Sequence, residues 1–236
     1  MTPEQIQPAG FDILHENGPC LVIGKPPGLL TQAPPGIDSL EARVRAFLQA
    51  RDGRAPGAHL GVVHRLDRPA SGALLLGLAP TATRELSRQI EQRRVRKLYW
   101  ALVAGAPAPA AGAWTDHVRK VPDEPRAEIV PADHPDARPA TLRYRTLHGG
   151  PDFTWLEIEL ETGRTHQIRL QAASRGHPVV GDAQYGSTAP FGEQHEDVRL
   201  RAIALHARRL GFRDPVTGGE VEVVAEPPGA WGGFAP

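Results

Sequence analysis

A succession of short strand patterns joined by tight turns constrains the fold of this chain most strongly. The first pair runs from Phe11 to Ile23 and turns at Asn17-Gly18, a dipeptide that favours a two-residue hairpin loop. Residues 154–161 alternate between apolar and acidic side chains, as a half-buried strand does. Because consecutive strands joined by tight turns pair antiparallel, the sequence predicts the α+β class, with a mixed, largely antiparallel central sheet and flanking helices.

Three segments have the spacing of helices. Ser39 can cap the first, whose apolar side chains recur at helical intervals. These side chains are Leu40, Val44, Phe47 and Leu48. A mostly charged helix is predicted over residues 81–94. A third is predicted from Arg164 to Arg175, closed by Gly176 in the left-handed conformation.

The chain of 236 residues shows no internal repeat and no linker, so a single domain over residues 1–236 is predicted. Two proline-rich segments, 105–112 and 122–139, are predicted as loops. No apolar run is long enough to span a bilayer, and the residues before the first hairpin lack the basic region and apolar core that are typical of a signal peptide. The one cysteine, Cys20, lies in an apolar run, which predicts a core residue. A chain that cannot form an internal disulfide is expected in the cytoplasm.

Charge is balanced overall but unevenly distributed. The chain has 27 basic and 27 acidic residues. Arginines crowd residues 84–96 and 199–213, whereas acidic residues collect at 193–197. This separation can give a neutral protein a basic face that suits phosphate groups. The same runs also fit the solvated faces of a helix and a strand, and charge alone does not choose between these interpretations.

The segment His64-Arg65-Leu66-Asp67-Arg68 carries the clearest candidate for chemistry. It sets a carboxylate between two arginines, just before an apolar run that has the pattern of a buried strand. Flanking guanidinium groups can keep such a carboxylate ionised, and the strand can fix its direction. Asp67 is therefore a candidate nucleophile or base, with a surface ion pair as the structural alternative.

This segment, followed by Ser71-Gly72, resembles the first signature of the RluA-type pseudouridine synthases. Residues 161–169, Glu-Thr-Gly-Arg-Thr-His-Gln-Ile-Arg, resemble their second signature. Further matches occur in the family's order at residues 25–29, 97–99, 176–182, 185–186 and 205–207. The ordered set covers most of the chain and is far more specific than any one motif.

The resemblance implies conversion of uridine to pseudouridine within RNA, in an enzyme that needs no metal, nucleotide or flavin. It also implies the pseudouridine synthase fold and a stem-loop of ribosomal or transfer RNA as partner. We expect a monomer that binds no membrane and no small-molecule cofactor. Many relatives carry an N-terminal S4 RNA-binding domain, which we expect to be absent because the first hairpin begins at Phe11.

The resemblance also assigns the site residues. Asp67 matches the essential carboxylate, which either attacks the sugar or uracil or removes a ribose proton. Arg169 matches the arginine that pairs with this aspartate, and Tyr99 matches a tyrosine that stacks on uracil and assists proton transfer at C5. Arg65 matches a residue that enters the RNA stack when the target nucleotide is extruded. The remaining predicted substrate-binding residues, which also shape their loop, are Arg164, His166 and Gln167.

The sequence departs from the family pattern at two positions near Asp67. Ala70 stands where threonine is usual, and Gly77 replaces a common alanine. The first change removes a hydroxyl from the catalytic loop, which predicts the loss of one hydrogen bond. Neither change affects Asp67, Tyr99 or Arg169, so activity is expected.

Two other classes of function compete with this one. A catalytically silent RNA-binding or ribosome-assembly protein could keep the same fold. It would show an eroded site, whereas the three principal residues are present. A glycosidase would need a second carboxylate near Asp67. The nearest candidate in a motif, Asp182, is predicted to lie in a structural turn.

Overall fold

The computed structural model describes residues 10–150 and 152–234, which divide into two compact units. One unit comprises the chain up to Arg96 together with Ala207–Pro228, and the other comprises Lys97–His206 and the chain from Gly229. The single domain over residues 1–236 stays a prediction. The helices and strands in chain order are β1 (Asp12–Asn17), β2 (Cys20–Lys25), α1 (Leu40–Asp52), β3 (Gly61–Val62), β4 (Ser71–Gly77), α2 (Pro80–Glu91), β5 (Arg96–Ala104), β6 (Ala111–Lys120), β7 (Ala127–Ile129), β8 (Arg138–Gly149), β9 (Phe153–Leu160), α3 (Gln167–Ala173), β10 (Leu205–Arg213) and β11 (Glu220–Val224).

The first unit is built on a sheet in the order β1-β2-β4-β10, with β11 paired to β10 and β3 to the end of β4. The predicted hairpin is confirmed, but its two-residue loop is Gly18-Pro19 rather than Asn17-Gly18, since Asn17 pairs with Cys20 at the ends of β1 and β2. Both β2 and β4 are almost wholly buried. Cys20 is fully buried in the apolar cluster between this sheet and α2, and burial raises the pKa of its thiol to about 12. It is therefore a core residue, as predicted.

The helices of the first unit follow their capping signals. The Ser39 hydroxyl accepts a hydrogen bond from the backbone N–H of Ala42, and the predicted apolar face of α1 is buried. The second helix was predicted to reach residue 94, but α2 ends at Glu91. The reason is local, because Arg93 adopts a left-handed conformation with φ of 55°, which no α-helix continues.

The second unit is an antiparallel sheet in the order β5-β9-β8-β6-β7. The loop predictions for residues 105–112 and 122–139 are wrong in part, since β6 begins at Ala111 and β7 lies inside the second segment. In β6 only Trp114 and Val118 are buried, and they stand four residues apart. A strand with so few apolar side chains lacks the alternation by which it could be recognised.

The third helix is shorter than the predicted span from Arg164 to Arg175, because α3 covers only Gln167–Ala173. His166 has φ of 52°, so the residues before it form a turn rather than the first turn of the helix. Gly176 has φ of 80°, as predicted, but lies beyond the end of the helix. The α+β class with largely antiparallel pairing is confirmed. Among the described residues, no helix is long and apolar enough to cross a membrane.

Candidate active site

The backbone on either side of Asp67 is held by hydrogen bonds within the first unit. The Thr31 hydroxyl donates to the Leu66 carbonyl at 3.0 Å and accepts from the Leu66 N–H at 3.2 Å. On the other side, the Ala70 N–H donates to the Asp67 carbonyl at 3.1 Å and closes a turn. The loop that carries the carboxylate is therefore fixed from both directions, which is what a preorganised catalytic group requires.

A buried lysine holds this turn through hydrogen bonds to its backbone. Lys25 is 2 % exposed, and its ammonium group donates to the carbonyls of Ala70 at 2.7 Å, Pro26 at 2.8 Å and Arg68 at 3.2 Å. These three contacts match the three donors of an ammonium group. Burial lowers the pKa of Lys25 to about 7, although the Asp67 carboxylate acts in the opposite direction and favours the charged form.

Lys25 belongs to a matched motif, but the sequence assigned it no role. The signal that could have found it is a lysine at the end of an apolar strand, directly before two prolines. A cation in such a position must be buried and must have acceptors. In the structure it places a positive charge near Asp67 that does not come from the flanking arginines.

Other residues of the first signature prove to be structural. Arg68, which has no predicted role, donates from Nε to the Gly28 carbonyl at 2.8 Å. The His64 Nε2 atom accepts the N–H of Leu75 at 2.9 Å, so this ring is bonded to strand β4. Gly72 has φ of 118°, and a Cβ atom there would lie 2.4 Å from the Ala207 carbonyl oxygen. The glycine of the motif is therefore required by the close approach of Ala207 at the start of β4.

The second departure from the family pattern also has a steric reason. A Cβ atom at Gly77 would lie 2.4 Å from the hydroxyl oxygen of Thr83 and 2.8 Å from its backbone nitrogen. Glycine at this position allows the first turn of α2 to approach β4 closely. The predicted loss of a hydrogen bond at Ala70 stays a prediction, although the N–H and carbonyl of Ala70 are both engaged.

Arg65 differs from its neighbours because it is exposed. Within residues 10–150 and 152–234 its side chain has no hydrogen-bond or ionic partner. A guanidinium group without an internal partner can contact an external one at no cost to the fold. The assignment of Arg65 to the RNA stack stays a prediction, and its exposure accords with it.

In the second unit, Tyr99 lies on β5 and is 7 % exposed. It stands opposite Ile158 of β9 in the sheet. Lys97 lies two residues earlier and so projects from the same face of the strand. Burial lowers the pKa of Lys97, and within the described part of the chain no carboxylate pairs with it. The spacing of two residues from Tyr99 is the signal by which Lys97 could have been noticed.

Arg169 is a deeply buried charged group of the second unit. It is 3 % exposed, and its Nε and Nη2 atoms donate to the Asp182 carboxylate at 2.6 and 2.9 Å. Nη2 also donates to the Gln184 side chain at 2.8 Å, and the guanidinium carbon lies 4.9 Å from the centre of the Tyr185 ring. A buried guanidinium requires such partners, but the sequence did not identify them.

These contacts revise the view of Asp182 more than that of Arg169. Asp182 lies at a turn before a short 3-10 helix, as predicted, but its carboxylate is 1 % exposed and forms a bidentate ion pair. The pairing of Arg169 with Asp67 stays a prediction.

The loop before α3 is shaped by its own side chains. Gln167 is 3 % exposed, and its Oε1 atom accepts from the Thr162 hydroxyl at 2.8 Å and from the Arg164 N–H at 3.0 Å. The Arg164 side chain donates to the Pro139 carbonyl at 3.0 Å, and His166 Nδ1 lies 3.0 Å from the Tyr185 hydroxyl. The loop-shaping part of the prediction is therefore present, and contact of these three residues with substrate stays a prediction.

Over the described residues, no three histidine, cysteine, aspartate or glutamate side chains are placed to hold a metal ion. The first unit offers the Asp67 carboxylate, held in a fixed turn near the buried Lys25. The second offers Arg169, a buried arginine whose guanidinium group is held by hydrogen bonds. Such groups can stabilise charge and transfer protons.

Comparisons with known proteins show the family to which this chain belongs. The model of the RNA pseudouridylate synthase family matches residues 19–174. A ribosomal large subunit pseudouridine synthase D from Xanthomonas campestris is 34 % identical over 92 % of this chain and 66 % of its own length. An uncharacterised RNA pseudouridine synthase from Chloroflexus aurantiacus is 38 % identical over 86 % of this chain and 62 % of its own.

Among solved structures, human RNA pseudouridylate synthase domain containing 4 superimposes with a TM-score of 0.74 at 23 % identity, over 92 % of this chain and 89 % of that one. This likeness shows the fold. The chain belongs to the RNA pseudouridylate synthase family. It spans less than two thirds of the length of the two curated relatives named above.

Proposed function

We propose that this chain isomerises uridine to pseudouridine in ribosomal RNA, with Asp67 as the essential carboxylate. The observation that carries the proposal is the turn around Asp67, which lies within the family's first signature. Thr31 and Lys25 hold this turn through hydrogen bonds to the backbone of Leu66 and Ala70. A residue with only a surface role would not need a buried cation beneath it.

The reaction conserves atoms and electrons. The bond from uracil N1 to ribose C1′ breaks, the base turns, and a bond forms from C5 to C1′. The proton lost from C5 is balanced by the one that N1 gains. Asp67 acts on the sugar or the base as a nucleophile, or removes a ribose proton. Both routes use the carboxylate in its ionised form.

Tyr99 and Arg169 complete the proposed catalytic set. Tyr99 offers an aromatic face for the uracil ring and a hydroxyl for proton transfer at C5. Arg169, whose guanidinium group is held by Asp182, is the proposed ion-pair partner of the Asp67 carboxylate. We assign these roles from the family resemblance, and the burial of both side chains supports them.

The RNA would be engaged mainly through shape and phosphate charge. Arg65, exposed and without an internal partner among the described residues, is suited to fill the gap left by an extruded nucleotide. We favour ribosomal over transfer RNA because relatives such as the Xanthomonas protein are named for the large ribosomal subunit. A cytoplasmic location would follow from that substrate.

Pseudouridine maps of total RNA would test the substrate. Cells that lack the gene are compared with cells that carry the wild type or Asp67→Asn. We expect one or a few ribosomal positions to lose pseudouridine, to regain it with the wild type, and to stay unmodified with Asp67→Asn. Lost positions confined to transfer RNA would overturn the choice of ribosomal RNA. Identical maps in all strains would favour the catalytically silent RNA-binding alternative.

A further inference from the structure

The frame around Arg169 extends beyond its ion pair with Asp182. Gln184 and Tyr185 follow Asp182 in the chain, and both contact the guanidinium group. The Gln184 Oε1 atom accepts from Nη2 at 2.8 Å, and the Tyr185 ring lies 4.9 Å from the guanidinium carbon. Together with Asp182, these residues use the hydrogens of Nε and Nη2 and cover one face of the group. They therefore set the direction in which Nη1 points.

The same two residues are bonded to the turn between β6 and β7. The Gln184 amide donates to the Pro125 carbonyl at 3.0 Å. The Tyr185 hydroxyl accepts the Ala127 N–H at 3.0 Å and lies 3.3 Å from the Ala127 carbonyl oxygen. Ala127 is 2 % exposed, so this anchor lies within the core of the second unit.

Tyr185 has a second link to the loop of the matched second signature. Its hydroxyl lies 3.0 Å from His166 Nδ1, and the two rings meet edge to face at 5.7 Å. His166 has a left-handed backbone conformation, which a non-glycine residue adopts at a cost unless its surroundings hold it. One phenol thus contacts the guanidinium group, the strained histidine and the edge of β7.

We propose that Gln184 and Tyr185 are positioning residues for Arg169, and that through them residues 125–127, the end of the β6–β7 connection and the first residue of β7, fix the orientation of its guanidinium group. The catalytic consequence rests on the proposed function, whereas the positioning is a property of the fold alone. The β6–β7 segment, predicted from sequence only as a loop, thereby acquires a role at the site.

Substitution of Tyr185 separates the two kinds of contact. Tyr185→Phe keeps the ring over Arg169 but removes the hydroxyl, and Tyr185→Leu removes both. We expect Tyr185→Phe to lower the single-turnover rate of pseudouridine formation about fivefold to tenfold, the effect of one misplaced hydrogen-bonded support. We expect Tyr185→Leu to lower it about fivefold further, because the cation–π contact is also lost. The dissociation constant for RNA should change less than about twofold.

Tyr144→Phe is the matched control. Tyr144 lies in the same unit, is 6 % exposed, and donates its hydroxyl to the Pro109 carbonyl at 2.9 Å. Its removal should lower the melting temperature about as much as Tyr185→Phe does, without slowing the reaction. Equal slowing by the two variants would overturn the proposal, since the rate would then follow stability. A loss confined to RNA affinity would overturn it as well.

A measurement that needs no activity tests the positioning itself. Nitrogen-15 NMR detects the guanidinium signals of Arg169, and amide hydrogen exchange measures how well the N–H of Ala127 is protected. Tyr185→Leu should shift and broaden the Arg169 guanidinium signals, and Tyr185→Phe and Tyr185→Leu should both speed exchange at Ala127. Tyr144→Phe should do neither. Unchanged signals in the Tyr185 variants would refute the positioning whether or not the protein is active. If the signals respond but the wild type forms no pseudouridine, the positioning stands and the proposed function fails.

Discussion

The ion pair between Arg169 and Asp182 gives a sharp prediction for stability. The two side chains are 3 % and 1 % exposed and meet through two hydrogen bonds of 2.6 and 2.9 Å. Asp182→Asn keeps the shape of the side chain but removes the negative charge, so the guanidinium group stays buried without a counter-ion in this pair. Breaking a buried pair in this way costs about 3–5 kcal/mol.

We expect Asp182→Asn to fall near the lower end, because its amide oxygen still accepts one hydrogen bond. For a chain of this size, about 3 kcal/mol corresponds to a decrease in melting temperature of roughly 6–12 °C. The assay is thermal unfolding followed by circular dichroism, with urea unfolding at the same salt concentration.

Asp38→Asn is the control. Asp38 and Arg43 form a bidentate pair of similar geometry, but their side chains are 57 % and 36 % exposed. An exposed pair contributes about 0–1 kcal/mol, because water screens the charges. The double variant Arg169→Met, Asp182→Leu should recover much of the stability lost in Asp182→Asn, since apolar side chains can replace a buried ion pair. If Asp182→Asn destabilises no more than Asp38→Asn, the reasoning from burial is refuted.

Three further predictions follow from the structure. The pKa of Lys25 is about 7 in the folded protein against 10.5 ordinarily, so the unfolded chain binds more protons between these values. The free energy of unfolding of the wild type should therefore rise with pH across this window, by up to about 1.4 kcal/mol per pH unit relative to that of Lys25→Met. Urea unfolding at pH 7 and 9 measures this, and an equal change in the two proteins would contradict it. Gly72→Ala should lower the melting temperature far more than Gly57→Ala. Both glycines have a positive φ, but only at Gly72 would the new Cβ atom clash with the backbone of Ala207. Equal decreases in melting temperature would count against the clash. Because no carboxylate pairs with Lys97 in the described part of the chain, its ammonium group can contact an RNA phosphate. Lys97→Met should then weaken RNA binding and reduce the slope of log affinity against log salt concentration by about one. An unchanged slope in filter binding would exclude a phosphate contact.

The parts of the fold that the sequence predicted are those with strong local signals. The hairpin between β1 and β2 and the capped helix from Leu40 are set by neighbouring residues, so both are confirmed, the turn one residue later than predicted. Strand β6 has no such signal, since its pairing with β8 determines it. The early end of α2 depends on one left-handed residue, Arg93, which propensity alone does not reveal.

The candidate site likewise has a part that the sequence predicted and a part that it did not. Motif order placed Asp67 and Arg169 within the family's signatures. The residues that hold them lie distant in sequence, because a buried charge takes whatever partner the fold brings near. Lys25 comes 42 residues before Asp67, and Asp182 follows Arg169 by 13. A general rule could have raised the question, since a buried lysine or arginine requires partners, but spacing alone could not name them.

Release of tritium from RNA that carries [5-³H]uridine tests the central claim most directly, because isomerisation removes the hydrogen at C5. Purified wild type, Asp67→Asn and the control Asp38→Asn are each mixed in excess with ribosomal RNA, and RNA affinity is measured in parallel. We expect tritium release by the wild type and by Asp38→Asn. We expect a loss of more than about a thousandfold in Asp67→Asn, with RNA affinity within about twofold of the wild type. Release by Asp67→Asn at the wild-type rate would contradict the role of this carboxylate, and no release by the wild type on ribosomal or transfer RNA would contradict the proposed activity.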